Sequence, residues 1–428
     1  MVLLPSIPSD LETAPACSGL PPGCKTFGSE LSSAELTHWL KPWRDRPLGL
    51  SLLLVLAGSR TAEVDGISAA GLTAASRRYT AVADAELLLH GPKRLRQWPL
   101  PPLAAGVSPA LISYVAAQSI GIDPLVAAVG LPISPPFPHL RLEASGLGPA
   151  ACLSTGQAMD QARVDALWKR GWAIGRGLRR PLVLAECVPG GTTTAQAVLS
   201  GFGLSVADLV SGSVHKPPRA LKQELVDRGL RLAGLASHSH RTPTPQRLIA
   251  AVGDPFQPVA AGLLMGARVA QQPVLLAGGS QMLAVLALAL AAVEPDQRQD
   301  LARGVTIGTT AWLASEVIPS QDIASEAIDS DVNRASMACL VNRVGDHFGV
   351  RLFGLAAGLR FHGSRHQALR DYELGHVKEG VGAGALAFLA QWYGSSSDHL
   401  VVACDQAMDQ LQDASASAAS ASAGISSP

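Results

Sequence analysis

The sequence predicts an α/β protein whose core is a mainly parallel β-sheet with helices on both faces. Apolar runs of strand length recur along the chain, and each is followed by a loop of small residues and a helical pattern. Hydrophobic residues make up 47% of the 428 residues, which is ample for a large core. The 42 glycines and 30 prolines suit many short connections better than long bundle helices.

The elements are expected in a regular order. Residues 1–49 are mixed and proline-rich, with one helical segment near residues 33–40. Buried strands are expected at residues 50–57, 181–185, 274–277, 305–307, 352–355 and 400–403. Residues 282–293 are expected to form a buried helix, because a helix that spans a membrane needs about 20 apolar residues. We therefore divide the chain into an N-terminal segment (1–49), one large α/β domain (50–412) and a Ser/Ala-rich tail (413–428) that is expected to be disordered.

Charge and cysteine content exclude several classes of function. The formal net charge is zero, so nothing draws the chain toward nucleic acid or an anionic membrane. The six cysteines include no CxxC pair and are expected to be reduced thiols, as in the cytoplasm. The N-terminus has no basic region followed by an apolar core, so no signal peptide is expected. We expect a soluble, cytoplasmic protein.

Two sets of side chains resemble metal ligands without completing a site. His238 and His240 would point the same way on a strand, but no third ligand is apparent near them. Cys17 and Cys24 lack a histidine partner. A polar loop and buried thiols are the better interpretations, and no metal site is expected.

One segment, residues 186–194, carries the strongest local signal for a binding site. It reads Glu-Cys-Val-Pro-Gly-Gly-Thr-Thr-Thr and lies between an apolar strand and the start of a helix. Glycine lets the backbone approach a ligand, and the N–H groups and positive dipole end of a helix N-terminus suit a phosphate. The segment lacks the lysine of GxxxxGK[ST], the spacing of GxGxxG and the acidic pair of diphosphate-sugar phosphoribosyltransferases. The segment therefore indicates a binding site for a phosphate that is neither part of a triphosphate nor a magnesium-bound diphosphate. The alternative is that it is only a turn between a strand and a helix.

Five segments together resemble one enzyme family. In chain order they are residues 64–70, 185–195, 253–256, 275–280 and 378–384. The ordered set is similar to the motifs of nicotinate-nucleotide–dimethylbenzimidazole phosphoribosyltransferase, which makes the lower-ligand nucleotide of cobalamin. More closely, the chain resembles the divergent archaeal and cyanobacterial branch of that family. The resemblance covers roughly residues 50–390.

This resemblance implies a Rossmann-like α/β fold with a small helical subdomain, usually assembled as a homodimer. It implies transfer of the 5-phosphoribosyl group from nicotinate mononucleotide to a nitrogen of a benzimidazole-like base. Nicotinate leaves and an α-ribazole phosphate forms, in cobamide (vitamin B12) lower-ligand assembly. The family needs no metal or other cofactor for this chemistry. The expected partners are therefore these small molecules and a second copy of the chain, without nucleic acid or membrane.

The resemblance also implies a site, residue by residue. Glu379 matches the family's general base, and a partly desolvated carboxylate suits that role because its pKa can rise toward the working pH. Ser68 matches a residue beside the base pocket, and Lys378 and His376 flank Glu379 and could contact phosphate. The residues expected at the phosphate and nucleotide are Glu186, Gly190, Gly191, Thr192, Thr193, Lys222, Gly278 and Gly279.

Several of these residues also have a plain structural interpretation. Glu379 could cap a helix, and Glu186 could simply order the loop that follows it. Lys222 could be a solvated helix lysine, and Ser68 could be an ordinary turn serine.

The chain departs from the family pattern at two places. Residues 190–194 read Gly-Gly-Thr-Thr-Thr, where the better-studied branch has an asparagine between glycine and threonine. Residues 59–63 read Ser-Arg-Thr-Ala-Glu in place of an Asp-His-Gly that helps to form the base pocket. The second change leaves the acceptor open, and phenolic or purine bases are alternatives. It also leaves open a nucleotide- or cobamide-precursor-binding protein without turnover, or another glycosyl transfer on the same scaffold.

Overall fold

An eight-stranded sheet forms the centre of the molecule. The structure is a computed structural model and describes residues 19–44, 49–144, 146–210, 212, 218–235, 243–316 and 336–424. The strands are β1 (Lys25–Gly28), β2 (Ser51–Ala57), β3 (Pro124–Val129), β4 (Leu140–Arg141), β5 (Leu182–Cys187), β6 (Val274–Ala277), β7 (Val305–Thr309) and β8 (Phe353–Ala356). Their order across the sheet is β1-β8-β7-β6-β5-β2-β3-β4. Neighbouring strands are parallel except for β1 and β8, so the predicted mainly parallel sheet is confirmed.

The chain reverses its direction across the sheet between β2 and β5. From β2 it adds β3 and β4 on one side, and from β5 it adds β6, β7 and β8 on the other side. β2 and β5 are direct neighbours, with Leu56 opposite Cys187 near their carboxyl ends. A reversal of this kind in an open parallel sheet leaves a crevice outside the carboxyl ends of the two strands, where ligands bind.

Sixteen α-helices surround the described part of the sheet. They are α1 (Ser33–Leu40), α2 (Ala74–Arg77), α3 (Thr80–His90), α4 (Ala110–Ile120), α5 (Gln161–Arg176), α6 (Gly191–Gly201), α7 (Arg219–Leu232), α8 (Pro245–Val252), α9 (Phe256–Val269), α10 (Ser280–Ala291), α11 (Arg298–Arg303), α12 (Ala311–Ala314), α13 (Ser336–Phe348), α14 (Gln367–Arg370), α15 (Ala383–Trp392) and α16 (Ser397–Gly424). None of these helices is long and apolar enough to cross a bilayer.

Two helical layers bury the sheet. In one layer α4 contacts α3 and α15, and α15 packs on β6, β7 and β8. In the other layer α9 and α10 contact each other and α8, and α6 packs against α10. Every residue of β5, β6 and β7 is buried, as a parallel strand covered on both faces requires. The continuous apolar runs that predicted these strands are the direct consequence of that burial.

Residues before β2 are part of the same core. The predicted helix near residues 33–40 is confirmed as α1, and Trp39 and Trp43 are buried among the core side chains. The Trp43 carbonyl accepts hydrogen bonds from Trp392 Nε1 at 3.2 Å and Tyr393 Oη at 2.7 Å. These bonds hold the N-terminal segment against the end of α15.

Two predictions for the C-terminal part differ from the structure. The strand predicted at residues 400–403 is wrong, because those residues belong to α16. A four-residue apolar run is equally compatible with a strand and with one face of a helix, so its pattern was ambiguous. α16 continues to Gly424, through part of the stretch that was expected to be disordered. Alanine has the highest intrinsic helix propensity, which favours helix there.

Candidate active site

A cavity of about 270 Å³ opens at the carboxyl ends of β2 and β5, where the strand order reverses. We call it the main cavity. Its walls come largely from residues 66–72, which follow β2, residues 186–192, at the end of β5, and residues 377–381, which precede α15. A smaller space of about 50 Å³, the side pocket, adjoins it and shares Glu186 and Glu379 with it. Segments far apart in sequence thus meet at one crevice, as expected for this topology.

The glycines at the end of β5 bring the N-terminus of α6 to the cavity wall. Gly190 has a left-handed backbone (φ +78°), and a Cβ there would lie 2.9 Å from the backbone nitrogen of Ala62. A Cβ on Gly191, the first residue of α6, would overlap the side-chain amide of Gln281. Gly190 is therefore required if the loop is to keep this shape, whereas a side chain at position 191 would only have to displace Gln281. The segment is a strand-to-helix turn that exposes a helix N-terminus to a cavity.

One threonine of this segment faces the cavity and the next does not. Thr192 lines both pockets, and its Oγ1 accepts a hydrogen bond from Lys222 Nζ at 3.0 Å. Thr193 lines neither pocket and is fully buried, and its hydroxyl has no hydrogen-bond partner among the described residues. The expected contact of Thr193 with phosphate stays a prediction, although its side chain lies away from both pockets. Successive residues of a helix differ by about 100° in direction, which explains why only one of the two side chains faces the cavity.

Lys222 is a buried lysine, which excludes the interpretation as a solvated helix residue. It lies on α7 and is only 1% exposed. Burial, and then the nearby charge of Lys378, lower the pKa of Lys222 to about 8. Lys222 itself lines neither pocket, but its bond to Thr192, which lines both, places its positive charge beside the site.

Of the adjacent glycines Gly278 and Gly279, which follow β6, only one lines the site. Gly279 lines the side pocket together with Ser280, the first residue of α10. Gly278 lines neither pocket, and its N–H donates to the carbonyl of Gly308 within the sheet at 2.9 Å. The structure thus brings Gly279 to the site and leaves Gly278 as part of the sheet.

Glu379 lies at the wall shared by the two pockets, with a fixed carboxylate. Its Oε2 accepts hydrogen bonds from Thr309 Oγ1 at 3.1 Å and the Thr310 N–H at 2.9 Å. Its Oε1 accepts from the N–H groups of Gly380 at 3.1 Å and Gly384 at 3.2 Å. Burial raises the pKa of Glu379 to about 7 although these hydrogen bonds oppose the rise. The bond from the Gly384 N–H also caps the first turn of α15, so the buried carboxylate fits the plain capping interpretation as well as a place at the site.

The backbone around Glu379 is strained. Val377, Lys378 and Val381 all have φ between +50° and +63°, which is unfavourable for residues with a Cβ. The Lys378 carbonyl accepts hydrogen bonds from Trp312 Nε1 and from Thr310 Oγ1, so neighbouring elements hold the strained turn in place. Strain of about 1–3 kcal/mol per residue persists only where the surroundings enforce it, typically at binding sites.

Glu186 is a second buried carboxyl group beside Glu379. The main chain links the two, because the Val381 N–H donates to the Glu186 carbonyl at 3.0 Å. Burial, and then the nearby Asp254, raise the pKa of Glu186 to about 8. Asp254 itself is buried, has a pKa raised to about 6 by desolvation, and accepts from Thr194 Oγ1 at 2.5 Å. Groups with raised pKa values beside a cavity are typical of functional sites.

The opposite wall carries Ser68. Its side chain lines the main cavity, and its Oγ accepts a hydrogen bond from the Ala70 N–H at 3.2 Å. The changed segment, residues 59–63, does not reach the main cavity. It packs behind the glycine loop, where Thr61 Oγ1 accepts from the Leu153 N–H at 3.1 Å. The altered sequence of residues 59–63 therefore affects the packing behind the glycine loop more than the wall of the main cavity.

Comparison with known proteins decides the family. A UPF0284 protein of Prochlorococcus marinus (strain MIT 9313) is 66% identical over 411 residues, which cover 96% of this chain and 98% of that protein. A UPF0284 protein of Parasynechococcus marenigrum (strain WH8102) is 56% identical and covers 96% of this chain and 98% of its own length. The chain belongs to the UPF0284 family. This confirms the cyanobacterial branch indicated by the motifs.

More distant matches connect this UPF0284 chain with phosphoribosyltransferases. Residues 110–304 match a family model described as phosphoribosyltransferase. A nicotinate-nucleotide–dimethylbenzimidazole phosphoribosyltransferase structure from Thermus thermophilus aligns with a TM-score of 0.50 at 17% identity, over 84% of this chain and 83% of that one. A CobT structure from the same organism aligns with a TM-score of 0.52 at 17% identity, over 89% and 92% of the two chains. The UPF0284 chain shares their fold.

Several residues of the UPF0284 site were not singled out from the sequence. They are Asp84, Ser108, Gln281, Thr309 and Thr310, which line the cavity or bind Glu379. Thr309 and Thr310 follow a predicted strand, and that position is the signal that could have identified them. Asp84 lies in a largely apolar helix that also buries Glu86, and only its position at the cavity distinguishes it.

The remaining predictions for the UPF0284 chain concern histidines, lysine and metal. Lys378 lines the side pocket, and its Nζ pairs with Glu316 Oε1 at 2.5 Å, whereas His376 lines neither pocket. Among the described ranges, no group of three or more histidine, cysteine, aspartate or glutamate side chains could hold a metal ion. His238, His240 and Cys17 lie outside the described residues.

Proposed function

We propose that the protein transfers the 5-phosphoribosyl group of nicotinate mononucleotide to a ring nitrogen of a benzimidazole-like base, in cobamide lower-ligand assembly. The observation that carries this proposal is the buried Glu379 carboxyl group at the cavity wall, with a pKa of about 7. A general base works best when its pKa lies near the working pH. The phosphoribosyltransferase match and the names of the two Thermus thermophilus proteins with this fold support the same reaction class.

The proposed reaction has one nucleophilic displacement and one proton transfer. The lone pair of the acceptor nitrogen forms the bond to the anomeric carbon, and the bond from that carbon to the nicotinate nitrogen breaks. The electron pair of the broken bond returns to the pyridinium ring, which leaves as nicotinate. The proton on the other ring nitrogen of the base passes to the Glu379 carboxylate, which leaves the new ring system uncharged. The product is an α-ribazole phosphate.

The 5′-phosphate is proposed to bind between the main cavity and the side pocket. Two helix N-termini begin at this point, α6 at Gly191 and α10 at Ser280. Their N–H groups and positive dipole ends favour an anion. Lys222 and Lys378 add positive charge at the same end. Glu186, on the wall between this end and Glu379, would hydrogen-bond the ribose.

The test is a turnover assay with matched variants. Purified protein is incubated with nicotinate mononucleotide and a panel of benzimidazole, purine and phenolic acceptors, and nicotinate and α-ribazole phosphate are measured by chromatography with mass spectrometry. For Glu379→Gln we expect kcat to fall by about 10²–10⁴-fold, the usual contribution of a general base. Glu294→Gln is the control, because this exposed residue lies beyond the far end of α10. Full activity of Glu379→Gln, or no reaction with any acceptor, would contradict the proposal.

One observation favours an alternative, a binding protein without turnover. Glu379 accepts four hydrogen bonds, and such bonds stabilise the carboxylate and reduce its tendency to take a proton. In that case the protein would bind a nucleotide or cobamide precursor and release it unchanged. Calorimetry that detects tight binding of nicotinate mononucleotide, together with zero nicotinate release, distinguishes this alternative from the enzyme.

A further inference from the structure

One end of the main cavity combines a largely apolar lining with a buried carboxyl group. Its apolar lining includes Ile67, Leu72, Pro101, Leu103 and Val377. Among them lies Asp84, which projects from the middle of α3 and is only 4% exposed. A buried carboxylate in such surroundings is costly unless hydrogen-bond donors reach both of its oxygens.

Two other polar side chains on this wall, Arg77 and Thr80, donate their hydrogen bonds to backbone carbonyls of the protein. Arg77 donates to the carbonyls of Gly71 and Val64 at 3.0 and 3.1 Å, and also to that of Ala62. Thr80 Oγ1 donates to a backbone carbonyl at 2.5 Å. These groups therefore shape the wall and offer little to a ligand.

Asp84 is only half satisfied by its protein partners. Its Oδ1 accepts a short hydrogen bond from Ser108 Oγ, at 2.6 Å. Its Oδ2 is approached by Cys187 Sγ at 3.6 Å, and a thiol is a weak donor. An ionised carboxylate has about four lone-pair sites, so Asp84, which lines the cavity, keeps acceptor capacity beyond these two contacts.

The charge state agrees with an acceptor role. Burial raises the pKa of Asp84 to about 6, and the hydrogen bonds from Ser108 and Cys187 oppose that rise. At pH 7.5 most of the group is therefore ionised and accepts hydrogen bonds. Burial also raises the pKa of the Cys187 thiol well above its usual value, so the thiol keeps its proton.

We propose that Asp84 selects an acceptor base that carries a hydroxyl or amino group on its ring, and that Oδ2 accepts the hydrogen bond from this group. The proposal rests on the function proposed above, because it assigns the apolar end of the main cavity to the acceptor. Glu379 and Asp84 line the same cavity from different segments. A planar base between them would meet Glu379 with its ring N–H and Asp84 with its substituent. An alkyl substituent would leave the Oδ2 lone pairs unpaired.

The experiment compares two acceptors that differ in one group. Binding of 5-hydroxybenzimidazole and 5-methylbenzimidazole to the full-length protein is measured by calorimetry at pH 7.5, with and without nicotinate mononucleotide. We expect the hydroxy compound to bind about 10- to 100-fold more tightly, which corresponds to one hydrogen bond to a charged group. In Asp84→Asn, Ser108 would hold the amide oxygen and turn the NH₂ toward the cavity, so the preference should shrink at least tenfold.

Two further variants keep the test decisive. Asp84→Leu combined with Ser108→Ala removes the acceptor and its donor together, which avoids an unpaired buried hydroxyl and should reverse the preference toward the methyl compound. Glu86→Gln is the matched control, because Glu86 is a buried carboxyl group of the same helix that accepts from the Gln97 N–H and does not line the cavity. Its preference should equal that of the unchanged protein.

The outcomes separate this inference from the proposed function. A hydroxyl preference that depends on Asp84, without any nicotinate release, supports the inference and contradicts the enzyme. Nicotinate release with equal affinity for both compounds, or a preference that survives both Asp84 variants, overturns the inference and leaves the enzyme standing. Absence of binding by either compound also overturns it.

Discussion

Burial of a single lysine gives the proposed phosphate site a pH dependence. The pKa of Lys222 lies at about 8 because the side chain is desolvated and lies near another lysine. Its ammonium form therefore dominates below pH 8 and is lost as the pH rises through that value. A phosphate is bound by the charged form, so the affinity for nicotinate mononucleotide should fall between pH 7 and pH 9.

Lys222→Met should remove both the contact and the pH dependence. We expect the dissociation constant for nicotinate mononucleotide at pH 7 to rise about 10- to 100-fold, the usual effect of losing one charge-assisted hydrogen bond. Calorimetry at pH 7, 8 and 9 measures both effects. Lys169→Met, an exposed lysine of α5, is the control and should behave like the unchanged protein. A loss of affinity above pH 8 that persists in Lys222→Met would assign the titration to another group.

At the scale of single residues, the sequence indicated which segments form the site better than it indicated which of their side chains face the cavity. Glu379 and Ser68 reach the cavity as expected. Thr192 and Thr193 could not be separated, because they are adjacent in the motif and only the helix geometry directs one of them to the cavity. Asp84 could not be predicted either, because two acids, Asp84 and Glu86, interrupt a largely apolar helix and give no periodic signal that separates them.

Among the elements, the loop between β5 and α6 depends on its first glycine. Gly190→Ala would force a residue with a Cβ to keep φ near +78°, at a cost of about 1–2 kcal/mol, and would press that Cβ against the Ala62 backbone. We expect the loop to move and the affinity for nicotinate mononucleotide to fall at least tenfold. Gly203→Ala is the control, since Gly203 has φ +88° but nothing within 4 Å of its Cβ position. It should lose a similar amount of stability and bind normally, and equal binding by the two variants would contradict the prediction.

A second element-scale prediction concerns the contact between α5 and α9. The two helices approach so closely that a Cβ on Gly262 would overlap the carbonyl oxygen of Trp168, and one on Gly171 would overlap that of Val259. Gly262→Ala should therefore separate the helices and destabilise the protein by at least ~2 kcal/mol, an overpacking cost against rigid backbone. Thermal unfolding measures the loss. Gly304→Ala has only one distant neighbour, at 3.7 Å, and should unfold almost like the unchanged protein.

The elements that the sequence predicted are those with a strong local pattern. β2, β5, β6, β7 and β8 are continuous apolar runs, and α10 is apolar throughout. β4 was missed because it has two residues, and β1 because its alternation is short. β3 was missed although residues 124–129 form an apolar run of strand length. The error at residues 400–403 arose because helix α16 presents four apolar residues in succession. Only tertiary packing decides between strand and helix for such a run.

For the whole molecule, the reversal of strand order explains why the site lies where it does. The two halves of the sheet diverge at β2 and β5, and the loops that follow these strands face each other across the crevice. Local patterns predicted the strands but contained no information about their order. The order came only with the structure. The homodimer that the resemblance implies stays a prediction.

The same crevice gathers buried carboxyl groups, and their burial should make the stability of the ligand-free protein depend on pH. Glu186 has a pKa of about 8 in the fold, compared with an ordinary value of 4.5. The folded state therefore binds more protons than the unfolded state between pH 4.5 and pH 8, and stability falls as the pH rises through that window. Glutamine carries no such proton, so Glu186→Gln should gain stability relative to the unchanged protein as the pH rises. The gain has an upper limit of about 1.4 kcal/mol per pH unit.

Denaturant unfolding at pH 5, 6, 7 and 8 measures the difference, and Lys222 contributes equally to both proteins. Glu294→Gln, at an exposed position, should give a constant difference. A Glu186→Gln difference that stays flat or falls between pH 5 and pH 8 would show that Glu186 is already ionised in the fold.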